Sequence, residues 1–197
     1  MLSSQERQRA DRYVLERSRD RFIFARAALR RILADELGED ARELRILEGP
    51  HGRPELAGLP LHFNVSHSQD KALIAVSSTA RIGVDIEALA PIERDLVERF
   101  FSSAEQASLA ALAGPDWERG FYRCWTRKEA FVKALGRGLS LPLEDFDVTI
   151  DENPRLIRCR FAPVSNWHLA PIATDAAYEA VVAVEARGGD VDIVYVA

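Results

Sequence analysis

The chain has 197 residues, 47% of them apolar, which is enough for one large domain or two small ones around a proper core. Its formal net charge of −5 argues against a nucleic-acid binder working by bulk charge, and no apolar run reaches the roughly 18 residues of a membrane span. The opening MLSSQERQRADRYVLERSRDR lacks the basic-then-apolar pattern of a secretory leader. A cytoplasmic protein is therefore expected, with Cys124 and Cys159 as buried free thiols.

Charge is uneven along the chain. Nine arginines fall between Arg7 and Arg31, whereas the stretch from Asp85 to Glu105 is mostly acidic, a division suited to an anionic ligand and a cation. Phe22, Ala25, Leu29, Ile32 and Leu33 recur at helical steps, predicting a helix from Phe22 to Leu37 that stops at Gly38. A short strand follows at Arg45–Glu48, then a turn-rich loop, Gly49 to Pro54, in which Arg53 can reach a phosphate. Leu61–Ser68 alternates as a strand, and Ser66 and His67 near its end can both donate to a phosphate. Ala72–Ser77 is the next strand, and a turn at 78–81 leads into Ile82-Gly83-Val84-Asp85-Ile86-Glu87.

On a strand, residues i and i+2 face the same way, so Asp85 and Glu87 present two carboxylates side by side while Val84 and Ile86 enter the core. Two carboxylates this close stay ionised cheaply only if a cation neutralises them, and hard oxygen ligands suit Mg²⁺, with Mn²⁺ an acceptable substitute. Ile92–Leu112 reads as two helices broken near Phe101-Ser102, with Ser102 or Ser103 capping the second and Glu105 in its first turn. Gly114-Pro115-Asp116 reads as a loop. The stretch FYRCWTRKEAFVKALGRGLSL, Phe121 to Leu141, then gives a helix ended by Gly136 and Gly138. Four residues apart on it, Glu129 and Lys133 deliver a carboxylate and an ammonium to one spot, and Glu129 is available as a third carboxylate for Asp85 and Glu87. Five further strands are expected at 143–150, 156–161, 167–172, 177–184 and 191–196.

The expected fold is α+β: two similar α/β subdomains in one chain, related by a pseudo-twofold, residues 1–90 and 91–197, with the active site at their interface. Together, Ser66-His67-Ser68, Gly83-Val84-Asp85-Ile86-Glu87 and Trp125-Thr126-Arg127-Lys128-Glu129-Ala130-Phe131-Val132-Lys133 resemble the 4′-phosphopantetheinyl transferases of the longer, surfactin-synthetase-activating type. Gly52-Arg53-Pro54, Arg99-Phe100-Phe101-Ser102 and Gly136 to Leu143 fit the same pattern, from about Phe22 to Val148. Two departures stand out: Gln69-Asp70-Lys71 replaces the glycine and aromatic that often follow Ser-His-Ser, and the N-terminal segment is short.

The resemblance implies a holo-[acyl-carrier-protein] synthase type of transferase. It would move the 4′-phosphopantetheine arm of coenzyme A onto a serine of an acyl or peptidyl carrier protein. By position, Asp85, Glu87 and Glu129 would bind Mg²⁺, Arg53, Ser66 and His67 would hold the adenosine phosphates, and Lys133 the pyrophosphate. Arg9, Arg21 and Arg26 are candidates for further phosphate contacts, and Glu129 or Glu105 for taking the serine proton. The carrier is expected to dock on the arginine-rich first helix, through Arg26 and Arg30, or on the Phe100-Phe101 region, and the protein to act as a monomer without nucleic acid or membrane. The alternative reading is a non-catalytic coenzyme A or nucleotide-binding module.

Overall fold

In the computed structural model of the chain, residues 1–49, 54–59, 61–138, 141–186, 189 and 191–195 are described. The chain divides into two units, Met1–Leu59 and Pro60–Ala197. The elements are mixed α and β throughout, as expected, but the division falls at 59/60 rather than at 90/91. Among the described residues no helix is long and apolar enough to cross a membrane.

The first unit holds α1 (Ser4–Ala10), α2 (Glu16–Leu37) and an antiparallel pair, β1 (Ile46–Glu48) and β2 (Pro54–Leu56). Helix α1 was not anticipated from the sequence, although its start carries a legible capping box: Ser3 Oγ accepts from the Glu6 amide at 3.2 Å and the Ser3 amide donates to Glu6 Oε2 at 2.7 Å. Helix α2 begins six residues before Phe22 and ends, as expected, at Gly38 in the left-handed region (φ 68°). Arg30, expected on the docking face, is instead 2% exposed; it donates to Glu6 Oε2 at 2.7 Å and to the carbonyls of Ala41 and Leu44. Its guanidinium ties α1, α2 and the following turn together.

The second unit opens with the hairpin β3 (His62–Ser68) and β4 (Lys71–Ser77), followed by β5 (Ile82–Ala88). Three helices come next: α3 (Asp95–Phe100), α4 (Ser103–Ala110) and α5 (Gly114–Leu135). β6 (Phe146–Val148) pairs with β7 (Leu156–Cys159), while β8 (Trp167–Pro171) and β9 (Tyr178–Glu185) join β5 in a three-stranded antiparallel sheet ordered β5-β9-β8. Ser102 caps α4 at the predicted break between helices. Helix α5 starts seven residues earlier than predicted, because Pro115 suits a first turn: its fixed φ is helical and its missing N–H has no partner to lose.

Along α5, Trp117, Phe121, Cys124, Lys128 and Phe131 are buried at three- and four-residue steps, forming the stripe that meets Phe101, Leu109, Phe146 and Trp167. The helix packs on β5 and β9, and Gly83 sets how closely. A Cβ there would fall inside the Ala130 carbonyl oxygen and the Ala134 amide nitrogen, so only glycine lets helix and strand backbones touch.

Lys128 lies on the apolar stripe with 0% exposure. Its ammonium has three donors and three acceptors: Glu105 Oε2 at 2.8 Å and the Leu143 and Phe146 carbonyls at 2.7 Å each. Glu105 also takes the Ser102 amide at 2.9 Å and, through Oε1, the Val148 amide at 2.8 Å. Only part of the predicted strand at 143–150 is a strand, β6: residues Leu143–Asp145 form a 3₁₀ turn, the Leu143 carbonyl accepting from Lys128 and the Glu144 and Asp145 carbonyls from Arg158. Residues 191–195, expected in a strand, are outside any strand.

Two stability outcomes follow from these contacts. Gly83→Ala should lower unfolding free energy by about 3 kcal/mol, because two backbones must separate; a shift in the urea midpoint worth less than about 0.5 kcal/mol, the range of a surface change, would contradict this close approach. Lys128→Met, which leaves Glu105 buried and unpaired, should cost about 3–5 kcal/mol, with a smaller total loss in Lys128→Met/Glu105→Gln. A double variant whose loss equals the sum of the losses in Lys128→Met and Glu105→Gln would show that the pair is not coupled.

Candidate active site

The close approach of α5 to β5 decides which side chains meet. Glu129 and Lys133 project from one face of α5 toward Asp85 and Glu87 on β5, and Val65, Ser66, His67 and Trp125 complete a cleft of about 310 Å³. All of these residues belong to the second unit. Lys133 Nζ donates to Asp85 Oδ1 at 2.6 Å, to Ser66 Oγ at 3.0 Å and to the Val84 carbonyl at 3.3 Å. The lysine thus bridges from the helix to the acidic strand. Trp125 forms the apolar side of the cleft; its ring stacks on Phe121 and meets Phe100 edge-on.

The site holds more negative charge than it neutralises. Burial pushes the Glu129 carboxyl up to about 6, and the neighbouring Asp85 adds to that against the pull of Lys133. Burial likewise raises Asp85, although Lys133 and Ser66 favour its charged form. Glu87 is raised by burial too, with Ser68 working against it and Asp85 reinforcing it. Asp85 Oδ2 and Glu129 Oε1 are both buried without a hydrogen-bond donor among the described residues. Acceptors removed from water in this way are costly, and hard anionic oxygens suit a divalent cation that keeps water or phosphate oxygens in its other positions. Among the described residues no three His, Cys, Asp or Glu side chains are gathered tightly enough to hold a metal as they stand. The fit therefore rests on Asp85 and Glu129, with Glu87 beside them.

Other expected site residues are placed differently. His67 is exposed at the cleft, free to meet a ligand, but Ser66 is buried and its hydroxyl is committed, donating to Asp85 Oδ1 at 2.7 Å. Glu105 lies in the Lys128 network, both oxygens engaged, and does not line the cleft. Its capping role, not a proton-transfer role, is what its position supplies. Arg53 lies outside the described residues. In the first unit, Arg9 and Arg26 share a separate cleft of about 570 Å³ with Arg12 and Tyr13, both guanidinium groups lying near the Phe22 ring, whereas Arg21 is exposed and outside that lining.

Sequence reasoning passed over Asn64, Ser68 and Trp125. For the first two a signal was available, since Asn64-x-Ser66-x-Ser68 alternates along β3 in step with Asp85 and Glu87 on β5. The departing tripeptide also finds a role. Gln69 takes the turn position with φ 53°, a region glycine usually fills, while Asp70 accepts from Tyr178 Oη at 2.5 Å and Lys71 pairs with Asp175. These contacts fasten the hairpin tip to the segment entering β9.

The stretch that carries this cleft is similar to known proteins. Residues 81–184, from β5 through α5 to β9, match the 4′-phosphopantetheinyl transferase superfamily. The 4′-phosphopantetheinyl transferase HetI of Nostoc is 36% identical over 193 residues, covering 95% of this chain and 80% of that protein. The 4′-phosphopantetheinyl transferase Sfp of Bacillus subtilis is 32% identical over 153 residues, covering 77% of this chain and 68% of that one. A holo-(acyl-carrier-protein) synthase of Bacillus anthracis, solved in complex with coenzyme A, aligns with 53% of this chain and 95% of its own at 26% identity and a TM-score of 0.44. The family match covers both the acidic strand and the Glu129–Lys133 helix, and the relatives extend it over most of the chain. The chain belongs to the 4′-phosphopantetheinyl transferase superfamily.

Proposed function

We propose that this chain transfers the 4′-phosphopantetheine group of coenzyme A to a serine hydroxyl of an acyl or peptidyl carrier protein, as a holo-[acyl-carrier-protein] synthase type of enzyme, and releases adenosine 3′,5′-bisphosphate. The observation that carries the reading is the cleft in which Lys133 is held on Asp85 while Glu129 Oε1 and Asp85 Oδ2 lie buried without donors. The bond formed joins the serine oxygen to the phosphopantetheine phosphorus, the bond broken is that phosphorus to the bisphosphate oxygen, and the serine proton must leave.

In this reading Glu129 takes that proton, burial having made its carboxylate more basic than an ordinary one in the metal-free cleft. Lys133 offsets charge on the departing phosphate, and His67 at the rim donates to an adenosine phosphate. Arg9, Arg21, Arg26 and Arg53 are the further phosphate ligands of this reading, supported for Arg9 and Arg26 by the basic cleft they line. A Mg²⁺ or Mn²⁺ ion held by Asp85, Glu87 and Glu129 would supply neutralisation of the pyrophosphate when bound. The direct test is intact mass of an apo carrier protein incubated with the chain, coenzyme A and Mg²⁺, with and without chelator. A gain of one phosphopantetheine, lost on chelation, is expected; no gain on any of several unrelated carriers would remove the reading.

Two outcomes separate the role of Glu129 from its mere presence. Because the metal-free carboxylate takes up its proton near 6, Mg²⁺ affinity should fall as pH drops through about 6. Glu129→Gln should lower the rate by about 10²-fold or more. That substitution should also raise the Tm of the metal-free protein at pH 7. The sign follows from the raised pKa: between 4.5 and about 6 the folded state binds more protons than the unfolded one, so stability from this group is full at low pH and is lost as pH rises through about 6. A Glu129→Gln variant that melts lower at pH 7, or transfers at the parent rate, would count against the assignment.

A further inference from the structure

β5 has two edges. One pairs with β9, and the other faces β3 with no backbone ladder between them, since β3 pairs with β4 in a separate sheet. The amides along that open edge are nevertheless satisfied, by side chains of β3 in strict alternation. Val84 N donates to Asn64 Oδ1 at 2.9 Å, Ile86 N to Ser66 Oγ at 3.4 Å and Ala88 N to Ser68 Oγ at 3.0 Å. The period of two on β3 matches the period of two on β5, so the register is fixed by three bonds rather than one.

The same two hydroxyls turn their protons to the acidic pair. Ser66 Oγ donates to Asp85 Oδ1 at 2.7 Å and Ser68 Oγ donates to Glu87 Oε2 at 2.9 Å. A hydroxyl that accepts from a fixed backbone amide has its remaining donor direction limited, which limits the carboxylate it meets. Asp85 has Lys133 as a second anchor. For Glu87, the Ser68 hydroxyl at 2.9 Å is the strongest influence favouring the charged form against burial, ahead of Lys133 and His67.

We propose that Ser68 is a positioning residue: by bridging the Ala88 amide and the Glu87 carboxylate across the open edge of β5, it holds Glu87 in the cleft in the orientation needed to meet a divalent cation beside Asp85 and Glu129. This inference rests on the metal reading above. Outer partners that orient a ligating carboxylate affect metal affinity strongly, whereas a purely structural surface serine would leave it unchanged.

The test compares Ser68→Thr with Ser68→Val, two side chains of nearly one shape that differ in a hydroxyl against a methyl. The readouts are calorimetric titration of Mn²⁺ into the metal-free full chain, the Tm of each variant, and the Mg²⁺ concentration dependence of transfer. Ser68→Val should bind Mn²⁺ about 10-fold more weakly than the parent, and Ser68→Thr within about 3-fold of it, at matched Tm. The apparent KM for Mg²⁺ should rise in Ser68→Val with kcat at saturating metal little changed. Equal Mn²⁺ affinity in Ser68→Val and parent would overturn this inference and leave the metal reading standing. Equal weakening in Ser68→Thr and Ser68→Val would also overturn it, because the hydroxyl would then be irrelevant. An unsubstituted chain that binds no Mn²⁺ would remove the metal reading and this inference together.

Discussion

One contact governs the rest of the second unit: the backbone of α5 lying directly on β5 at Gly83. A side chain of any size at that position would meet the Ala130 carbonyl and the Ala134 amide, and the helix would ride up off the sheet. With glycine there, Lys133 can span from the helix to Asp85 Oδ1 at 2.6 Å and to the Val84 carbonyl one residue earlier on the strand. Glu129, one turn back on the same face, is brought over the same cleft. The acidic strand and the helix are each unremarkable alone; their chemistry depends on this separation.

That arrangement is electrostatically unfavourable in the absence of a cationic ligand, in the way functional sites often are. Three carboxyl groups are all raised by burial, one lysine is held among them, and two buried oxygens have no donor among the described residues. The compensating rigidity lies directly behind the site. Lys128, adjacent to Glu129 in sequence but turned onto a different face of α5, locks the helix to Glu105 and to the carbonyls of Leu143 and Phe146. On the strand side, Asn64, Ser66 and Ser68 hold the open edge of β5. The cleft is thus bounded by two buried polar networks, which resist relaxation of the strained charges between them.

The sequence made the acidic pair, the Glu129–Lys133 face and both glycine helix stops legible, because each depends on a local period or a backbone conformation that residue type dictates. It also disclosed the capping relation of Ser102 and Glu105. What it concealed were long-range decisions. Nothing local marks Lys128 and Glu105 as a buried pair until the stripe from Trp117 through Phe131 is seen to pass through position 128, and Ser66 reads as a donor to a phosphate until β5 is placed beside it. The predicted strand at 143–150 was shortened to Phe146–Val148, the Leu143 carbonyl being taken by Lys128 from 15 residues away. Helix α1 was a different kind of omission: its capping box was present in Ser3 and Glu6, but the surrounding arginines hid the pattern.

The central claim is that the close approach of α5 to β5 couples Lys133 to Asp85 across the cleft, and a double-mutant cycle in stability addresses it most directly. Unfolding free energies would be measured for the parent, Asp85→Asn, Lys133→Met and the double variant under metal-free conditions. The account predicts that Lys133→Met alone, which strands a buried carboxylate, is more destabilising than the same change made in the Asp85→Asn background, with a coupling of about 1–3 kcal/mol. Effects that add to within about 0.5 kcal/mol would contradict it, since Lys133 and Asp85 would then not be coupled across the cleft.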